Sequence, residues 1–212
     1  MSFLVWLYRK TKTELKIVLA TLAILIILPA FSVVVIAASG VKLVGQALAA
    51  VNPITHLVEI FDANGNKVHE LEVSTVWPTT GYVSDEFGTR DKVRTLLGLG
   101  AHTGIDIANE KGEIGTPVTP FMVGKVLRVD DKDDSSCGLN ILVDHGNGVT
   151  SLYCHLSRTS TSAQTDVKPG DVIGYMGSTG TSTGSHLHFQ TNVFGIPVNP
   201  RTFMVGEPKG TY

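Results

Sequence analysis

The N-terminal part of the chain contains a long apolar stretch without a charged side chain. Residues 17–39 read IVLATLAILIILPAFSVVVIAAS. As a helix rising about 1.5 Å per residue, this stretch spans roughly 33 Å, enough to cross a hydrocarbon core of about 30 Å. Pro29 lies inside it, which a membrane helix tolerates. The pattern predicts one N-terminal transmembrane helix. A buried helix of a soluble core is disfavoured, because little chain remains to surround it.

The charges before this stretch predict its orientation. Residues 1–16 contain Arg9, Lys10, Lys12 and Lys16 against Glu14. Positively charged flanks stay in the cytoplasm. We therefore expect a basic cytoplasmic tail (1–16) and a single-pass signal anchor (17–39) in the cytoplasmic or inner membrane, with the rest extracytoplasmic, on the periplasmic or wall side. The alternative is a cleaved signal peptide, whose apolar core is typically shorter, about 7–15 residues.

The remaining chain shows short apolar runs separated by turn residues, a pattern typical of β-strands. Asn64-Gly65 between two such runs predicts a hairpin. The predicted strands are 57–61, 67–73, 81–87, 117–130, 139–145, 149–155, 171–176 and 186–193. A helical period occurs only around 93–99.

These elements predict a mostly β chain organised around one antiparallel domain. We place a linker and hairpin at 40–74, the antiparallel β domain at 75–205 and a tail at 206–212. Within the linker, residues 41–55 are small and mixed, which fits either a plain connection or an extension of the membrane helix.

Composition and charge exclude several function classes. Of the 212 residues, 43% are hydrophobic and 17% are charged, which is too apolar for a disordered protein. The formal net charge is −2, so the chain lacks the basic surplus of a nucleic-acid binder, and we expect no nucleic-acid partner. Two cysteines cannot form a four-thiolate zinc site.

The candidate chemistry lies in histidine motifs. His102-Thr103-Gly104-Ile105-Asp106 places an imidazole four residues before a carboxylate, and in His186-Leu187-His188 the two imidazoles face the same side of a strand. A catalytic zinc ion takes three protein ligands and leaves one position for water. His155 is a further candidate, so spacing alone leaves the ligand set open. The HExxH helix of other zinc peptidases is not present in the sequence.

The motifs and their order resemble the lysostaphin-type (LytM-like) zinc metalloendopeptidases, which cleave peptide cross-links of bacterial peptidoglycan. The matching segments are Trp77-Pro78, Phe87-Gly88-Thr89-Arg90, HTGIDIA at 102–108, Gly115-Thr116-Pro117-Val118, Gly124-Lys125-Val126, His145-Gly146-Asn147-Gly148, Tyr153-Cys154-His155-Leu156-Ser157, Gly177-Ser178-Thr179-Gly180, Thr183-Gly184, His186-Leu187-His188-Phe189 and Val198-Asn199-Pro200.

This resemblance implies a role for each residue of the histidine motifs. In the family, the metal is held by the histidine and aspartate of HxGxD and by the second histidine of HxH. The implied Zn2+ ligands here are His102, Asp106 and His188. His155 and His186 are then the implied catalytic residues beside the metal-activated water, one as base and the other stabilising the oxyanion. The order of these two roles stays open.

Because all five residues are kept, the resemblance implies a hydrolase active in cell wall degradation. The expected protein is a membrane-anchored zinc metalloendopeptidase that hydrolyses stem or bridge peptides of peptidoglycan through a zinc-activated water. Two alternatives remain. One is a non-hydrolytic wall-binding or regulatory module. The other is a structural component of an envelope-spanning secretion, conjugation or phage assembly, which would bring an assembly partner.

Other polar residues have structural interpretations. We expect His56 and His69 on the surface and His145 in a turn, and Tyr153 either packs or faces the groove. Cys137 and Cys154 flank a turn. If that turn centres on residues 145 and 146, the cysteines face each other within disulfide reach, and an exported domain permits oxidation. A turn centred one residue later makes them diagonal neighbours. The charged run 130–134 is interpreted as a solvated loop.

Overall fold

The computed structural model describes residues 47–72, 76–90 and 100–208. The expected membrane helix, the basic tail and the candidate helix at 93–99 lie outside these residues. Within them, no helix is both long enough and apolar enough to cross a bilayer.

The described part of the chain is built mainly from strands. They are β1 (Ala49–Val51), β2 (Val58–Phe61), β3 (Lys67–Leu71), β4 (Tyr82–Asp85), β5 (Ile105–Ala108), β6 (Pro117–Val118), β7 (Gly124–Asp130), β8 (Leu139–Asp144), β9 (Val149–Thr159), β10 (Asp166–Val167), β11 (Gly174–Met176), β12 (Leu187–Val193) and β13 (Ile196–Val198). A 3-10 helix, Pro200–Thr202, follows β13. The pairings among these strands are antiparallel, which confirms the predicted mostly β, antiparallel class.

A small sheet of order β1-β2-β3 precedes the large one. The predicted Asn64-Gly65 turn joins β2 to β3. The Asp62 carboxylate accepts hydrogen bonds from the Asn64 and Asn66 backbone amides, and Gly65 adopts a φ of 81°. The expectation of a linker or helix over 41–55 is wrong for β1, because the three residues of this strand pair with β2. The local sequence pattern does not predict that pairing.

The large sheet has the order β10-β7-β8-β9-β12-β5-β4, with β11 pairing β6 and β9, and β13 pairing β12. The run predicted as one strand at 117–130 forms two, β6 and β7. The segment between them contains Pro120, which has no backbone N–H to donate to a ladder, and the chain bends at residues 121–123. The Thr119 amide donates to the Pro78 carbonyl.

Alternation along β5 and β12 separates the core from an outer face. Ile105, Ile107, Leu187 and Phe189 are fully buried, whereas the intervening residues point away from the core. Because strand residues alternate between faces, the polar residues of both strands come to lie on one side of the sheet. That side carries the candidate site.

The register of the β8–β9 hairpin differs from both registers proposed from the sequence, which centred the turn on residues 145 and 146 or one residue later. Asp144 pairs with Thr150, so the turn centres on Asn147. Cys137 precedes β8, beside Gly138 with a φ of 59°, and it forms a disulfide with Cys154 of β9, with a Cα–Cα distance of 5.1 Å. The disulfide is therefore present, but it joins a loop to a strand rather than two facing strand residues.

Candidate metal centre

Three of the predicted residues converge on the outer face of the sheet. Asp106 in β5 and His188 in β12 are direct cross-strand partners, and His102 reaches them from the loop before β5. The distances are 3.0 Å from His102 Nε2 to Asp106 Oδ1, 2.9 Å from His188 Nδ1 to Asp106 Oδ1, and 2.9 Å from His102 Nε2 to His188 Nδ1. Together they could hold a metal ion.

Outer hydrogen bonds fix the His102 ring. Its Nδ1 lies 3.1 Å from the Glu86 carbonyl oxygen and 3.3 Å from Asp85 Oδ2. Both oxygens are acceptors, so this nitrogen carries the proton and donates. The other nitrogen, Nε2, then presents its lone pair to Asp106 and His188.

The His188 ring is held in the same way from its other side. Its side chain hydrogen-bonds that of Gln190, and the Gln190 amide in turn donates to Asn192 Oδ1 at 2.7 Å. Asn192 Nδ2 donates to Thr150 Oγ1 at 3.2 Å. The Gln190 hydrogen bond favours the charged form of His188 and raises its pKa, as an acceptor oxygen does. We therefore infer that Gln190 accepts from His188 Nε2 and that Nδ1, which faces Asp106, presents a lone pair.

Three electron-rich atoms therefore meet at about the spacing that a cation requires. A tetrahedral zinc ion with bonds of about 2.0–2.1 Å would separate its ligands by about 3.3 Å, and the observed edges are slightly shorter. Imidazoles that give their second N–H to an outer partner are the usual ligands of metal sites. The residues present fit a metal ion on this donor set.

Charge at the centre follows the same arrangement. Burial on its own would raise the pKa of Asp106, but the adjacent His102 and His188 side chains outweigh burial and lower it far below its usual value. Burial lowers the pKa of His188, against the attraction of Asp106. The carboxylate is thus ionised and the His188 imidazole is neutral, which are the ligand forms that bind metals.

The two other predicted histidines flank this triad. The His155 ring lies 4.6 Å from that of His186 and 6.1 Å from that of His188, measured between centroids. His155 Nδ1 donates to the Thr179 carbonyl at 2.8 Å, and His186 Nδ1 donates to the Gly184 carbonyl at 2.8 Å. With Nδ1 donating, the nitrogen of each ring that faces the site is Nε2. His186 Nε2 lies 3.8 Å from Asp106 Oδ2.

His155 is held in an unusual environment. Its relative exposure is 8%, and its backbone φ is 61°, which is uncommon for a residue with a side chain. Burial first, and the nearby His186 second, lower the pKa of His155 to about 4. The ring is neutral at neutral pH and able to accept a proton.

Two cavities open beside the triad. One, of about 630 Å³, is lined by Asp106 and His186 together with Lys111 and Glu110. The other, of about 370 Å³, is lined by His155, His188 and uncharged side chains. Each cavity therefore borders one residue of the triad and one of the two flanking histidines.

Gly104, inside the HxGxD motif, lies where β12 passes. A Cβ built there would lie 2.4 Å from the Phe189 carbonyl oxygen and 2.9 Å from His188 Cε1. Glycine is therefore required for the first motif to approach the second, which gives a physical reason for its place between His102 and Asp106.

The remaining sequence expectations are resolved residue by residue. His56 and His69 are exposed. His145 bonds the Val123 carbonyl and Ser151 Oγ, as expected for a structural residue. Tyr153 is fully buried and accepts from the Phe121 amide, so it packs rather than faces the groove.

Three supporting residues were not singled out from the sequence. Asp85 and Gln190 hold the rings of the two histidines in the triad, as described above. Asp133, within the run interpreted as solvated, accepts from the Gly180 amide at 2.6 Å. Only the alternation of Gln190 with His188 along one strand face could have indicated any of them.

Comparison with known proteins places this geometry in a family. Residues 100–200 match peptidase family M23, and they contain the triad and both flanking histidines. This region is an M23 peptidase domain. The family assignment agrees with the lysostaphin-type resemblance of the sequence motifs.

Similar proteins of the M23 group differ in what they do. The DD-carboxypeptidase/endopeptidase Mpg of Neisseria meningitidis is 43% identical over 110 residues, covering 52% of this chain and 24% of Mpg. The murein hydrolase activator NlpD of Escherichia coli is 34% identical over 131 residues, covering 60% of this chain and 30% of NlpD. The chain thus spans about a third or less of these relatives.

A solved structure gives the same picture. A zinc-containing peptidase from Vibrio cholerae superposes with a TM-score of 0.54 at 25% identity, covering 71% of this chain and 47% of that one. An M23 domain is compatible with a peptidoglycan-cleaving or a regulatory function.

Proposed function

We propose that this chain is a membrane-anchored zinc metalloendopeptidase that hydrolyses peptide cross-links of bacterial peptidoglycan. The observation that supports this most directly is the joint presence of the triad and of two further imidazoles, those of His155 and His186, beside it. A binding module has no need of the second pair, because proton transfer is a requirement of turnover and not of binding.

In this proposal His102, Asp106 and His188 hold zinc through the three atoms that converge in the site. When bound, zinc supplies a Lewis acid that polarises a peptide carbonyl and makes water a nucleophile at neutral pH. Asp85, Gln190 and the Glu86 carbonyl keep the two imidazoles of the triad in the orientation that binding requires.

Two residues of the chain then carry out proton transfer and charge stabilisation. His155 is neutral, with its lone pair on Nε2, so we assign it as the base that takes a proton from the attacking water and returns it to the leaving amine. His186 Nε2 faces Asp106 at 3.8 Å, and we assign its protonated form to stabilise the developing oxyanion. This orders the two roles that the sequence left open.

The substrate assignment rests on shape and on relatives. Two cavities border the triad, with volumes of about 630 and 370 Å³, which is more space than a single side chain needs and fits a peptide. The relative Mpg is named as an endopeptidase. We therefore propose stem or bridge peptides of peptidoglycan as substrate, with residues 17–39 anchoring the domain on the extracytoplasmic side of the cytoplasmic membrane.

The experiment is digestion of purified peptidoglycan by the full chain, followed by mass spectrometry of the fragments. The proposal predicts shorter cross-linked peptides with new amino and carboxyl ends, loss of release with a chelator, and recovery with zinc. Fragments with new sugar ends instead of new peptide ends would contradict it.

A regulatory function is the second candidate, supported by the similarity to the activator NlpD. In that case the full chain would cut no peptide itself but would accelerate a separate wall hydrolase. An envelope-assembly partner belongs to this candidate. Adding such a hydrolase to the digestion distinguishes the two functions.

A further inference from the structure

His155 is held by a loop that contributes no residue to the triad. We define this loop as residues 133–138 and call it the clamp loop. The Cys137 carbonyl accepts from the His155 amide at 2.9 Å, which links the clamp loop to the backbone of the base. That backbone has a φ of 61°, so it depends on such external contacts.

The clamp loop also holds the segment that orients the His155 ring. The Asp133 carboxylate accepts from the Gly180 amide at 2.6 Å, and the Ser136 carbonyl accepts from the Thr181 amide at 2.9 Å. The neighbouring Thr179 carbonyl is the acceptor for His155 Nδ1 at 2.8 Å.

Close backbone packing makes this arrangement sensitive to small displacements. A Cβ built on Gly138 would lie 2.5 Å from the Thr179 carbonyl carbon and 2.6 Å from the Gly180 amide nitrogen, so the two segments are in close contact. Thr179 Oγ1 accepts from the Leu139 amide at 3.1 Å and donates to the Leu156 carbonyl at 2.8 Å. A shift of the clamp loop would therefore move Thr179 and the His155 ring with it.

One covalent bond ties the clamp loop to the strand of the base. Cys137 in the loop is bonded to Cys154, which directly precedes His155, and these are the chain's two cysteines. We propose that the Cys137–Cys154 disulfide is a positioning element for His155 and makes turnover dependent on the oxidised state of the chain, an inference that rests on the proposed endopeptidase function.

Metal binding should not share this dependence. Asp106 and His188 are positioned by the β5–β12 ladder, and His102 is positioned by the Glu86 carbonyl. Cys154 does pair with His188 across the β9–β12 ladder, but that ladder continues through five further residue pairs. Reduction should thus separate turnover from metal content.

The bond is open to chemistry from the site. Both cysteines line the 370 Å³ cavity together with His155. A phosphine reductant attacks one sulfur, the S–S bond breaks, and water completes the reaction to give two thiols and the phosphine oxide. A phosphine is preferable to a dithiol here, because thiolates are themselves zinc ligands.

The test compares the full chain before and after phosphine treatment, alongside the double variant Cys137→Ser/Cys154→Ser. We expect kcat for peptide release to fall by about 10- to 100-fold, the scale of a misplaced catalytic group, with KM and zinc content unchanged. The double variant should have the kcat of the reduced chain, and phosphine treatment should not change it. Val167→Ala, in the buried part of β10, controls for a general loss of stability and should keep its redox response.

A second readout does not need turnover. In 15N spectra, assigned with His155→Gln, reduction should weaken the Nδ1–H signal of His155 while the signals of His102 persist. If the oxidised chain cuts no peptidoglycan, the proposed function fails. The 15N spectrum still tests whether the disulfide and the clamp loop position the His155 ring. An unchanged His155 signal, or equal kcat in both redox states, would overturn the positioning role alone.

Discussion

His188 and Asp106 face each other directly across the β12–β5 ladder, and their Nδ1 and Oδ1 atoms lie 2.9 Å apart. Sheet register therefore sets two of the three candidate metal-binding positions. A slip of one residue would bring an apolar neighbour such as Leu187 or Ile107 to this face instead. The relative positions of His188 and Asp106 are thus fixed by the pairing of β12 with β5.

Replacing the carboxylate tests its role in the triad. Asp106→Asn keeps the shape but removes the charge, so zinc affinity should fall by more than the roughly 10- to 100-fold that loss of an outer partner costs. Competition with a zinc-binding dye measures this. The matched control is Asp166→Asn, in an exposed ion pair with Lys125, and it should bind zinc like the parent chain. Equal affinity in both variants would remove Asp106 from the ligand set.

Gln190 should act on the metal through His188. Gln190→Ala removes the acceptor for His188 Nε2, and we expect zinc affinity to drop by about 10- to 100-fold. Gln190→Glu keeps an acceptor oxygen and should recover most of it. The zinc affinity of both variants, measured with their unfolding midpoints, separates this effect from instability. An equal loss of zinc affinity in both variants would mean that Gln190 acts through its hydrogen bond to Asn192 and not as the acceptor for His188.

Gly104 offers a steric test of how the two motifs meet. Gly104→Ala places a methyl group against the Phe189 carbonyl and the His188 ring, so β5 and β12 must separate and zinc affinity should fall. Gly100→Ala is the control, since a Cβ there meets nothing within 4 Å. A crystal structure or the zinc content of the two variants checks this, and normal zinc binding by Gly104→Ala would show that the strands adjust.

The alternation of apolar and polar residues predicted much of this fold. The sequence shows that Leu187 and Phe189 are apolar and that the polar His188 lies between them, which predicts their opposite faces. The Asn64-Gly65 turn predicted the β2–β3 hairpin. The five site residues followed from the resemblance of the motifs to a known family. The histidine spacing alone had left the ligand set open.

Other features depend on contacts between distant parts of the chain. Ala49–Val51 is too short to show a period, and it is a strand because β2 lies beside it. The Asn147-centred turn depends on the β8–β9 pairing, which the local pattern does not encode. Asp133 looked like one charge in a solvated run, and its acceptor role exists only because Gly180 folds against it.

Acid stability should depend on His145. Burial lowers its pKa, so the unfolded chain, with an ordinary pKa of about 6.5, binds the proton more readily. The stability from the neutral ring is complete above that value and is lost as the pH falls toward the lowered pKa of the folded chain. His145→Gln should therefore weaken the decrease in urea midpoint between pH 7.5 and 5.5, whereas His69→Gln, at an exposed position, should not. A parent-like decrease in His145→Gln would contradict this.

The most direct test of the account measures zinc content and peptide release together in three full-length proteins. The parent chain should bind one zinc ion and cut peptidoglycan. His102→Ala should lose both properties, and His155→Ala should keep the metal while release falls by about 10²- to 10⁴-fold, the usual contribution of a positioned base. Parent-like release by His155→Ala, or a zinc-loaded parent chain that leaves peptidoglycan intact, would contradict the endopeptidase assignment.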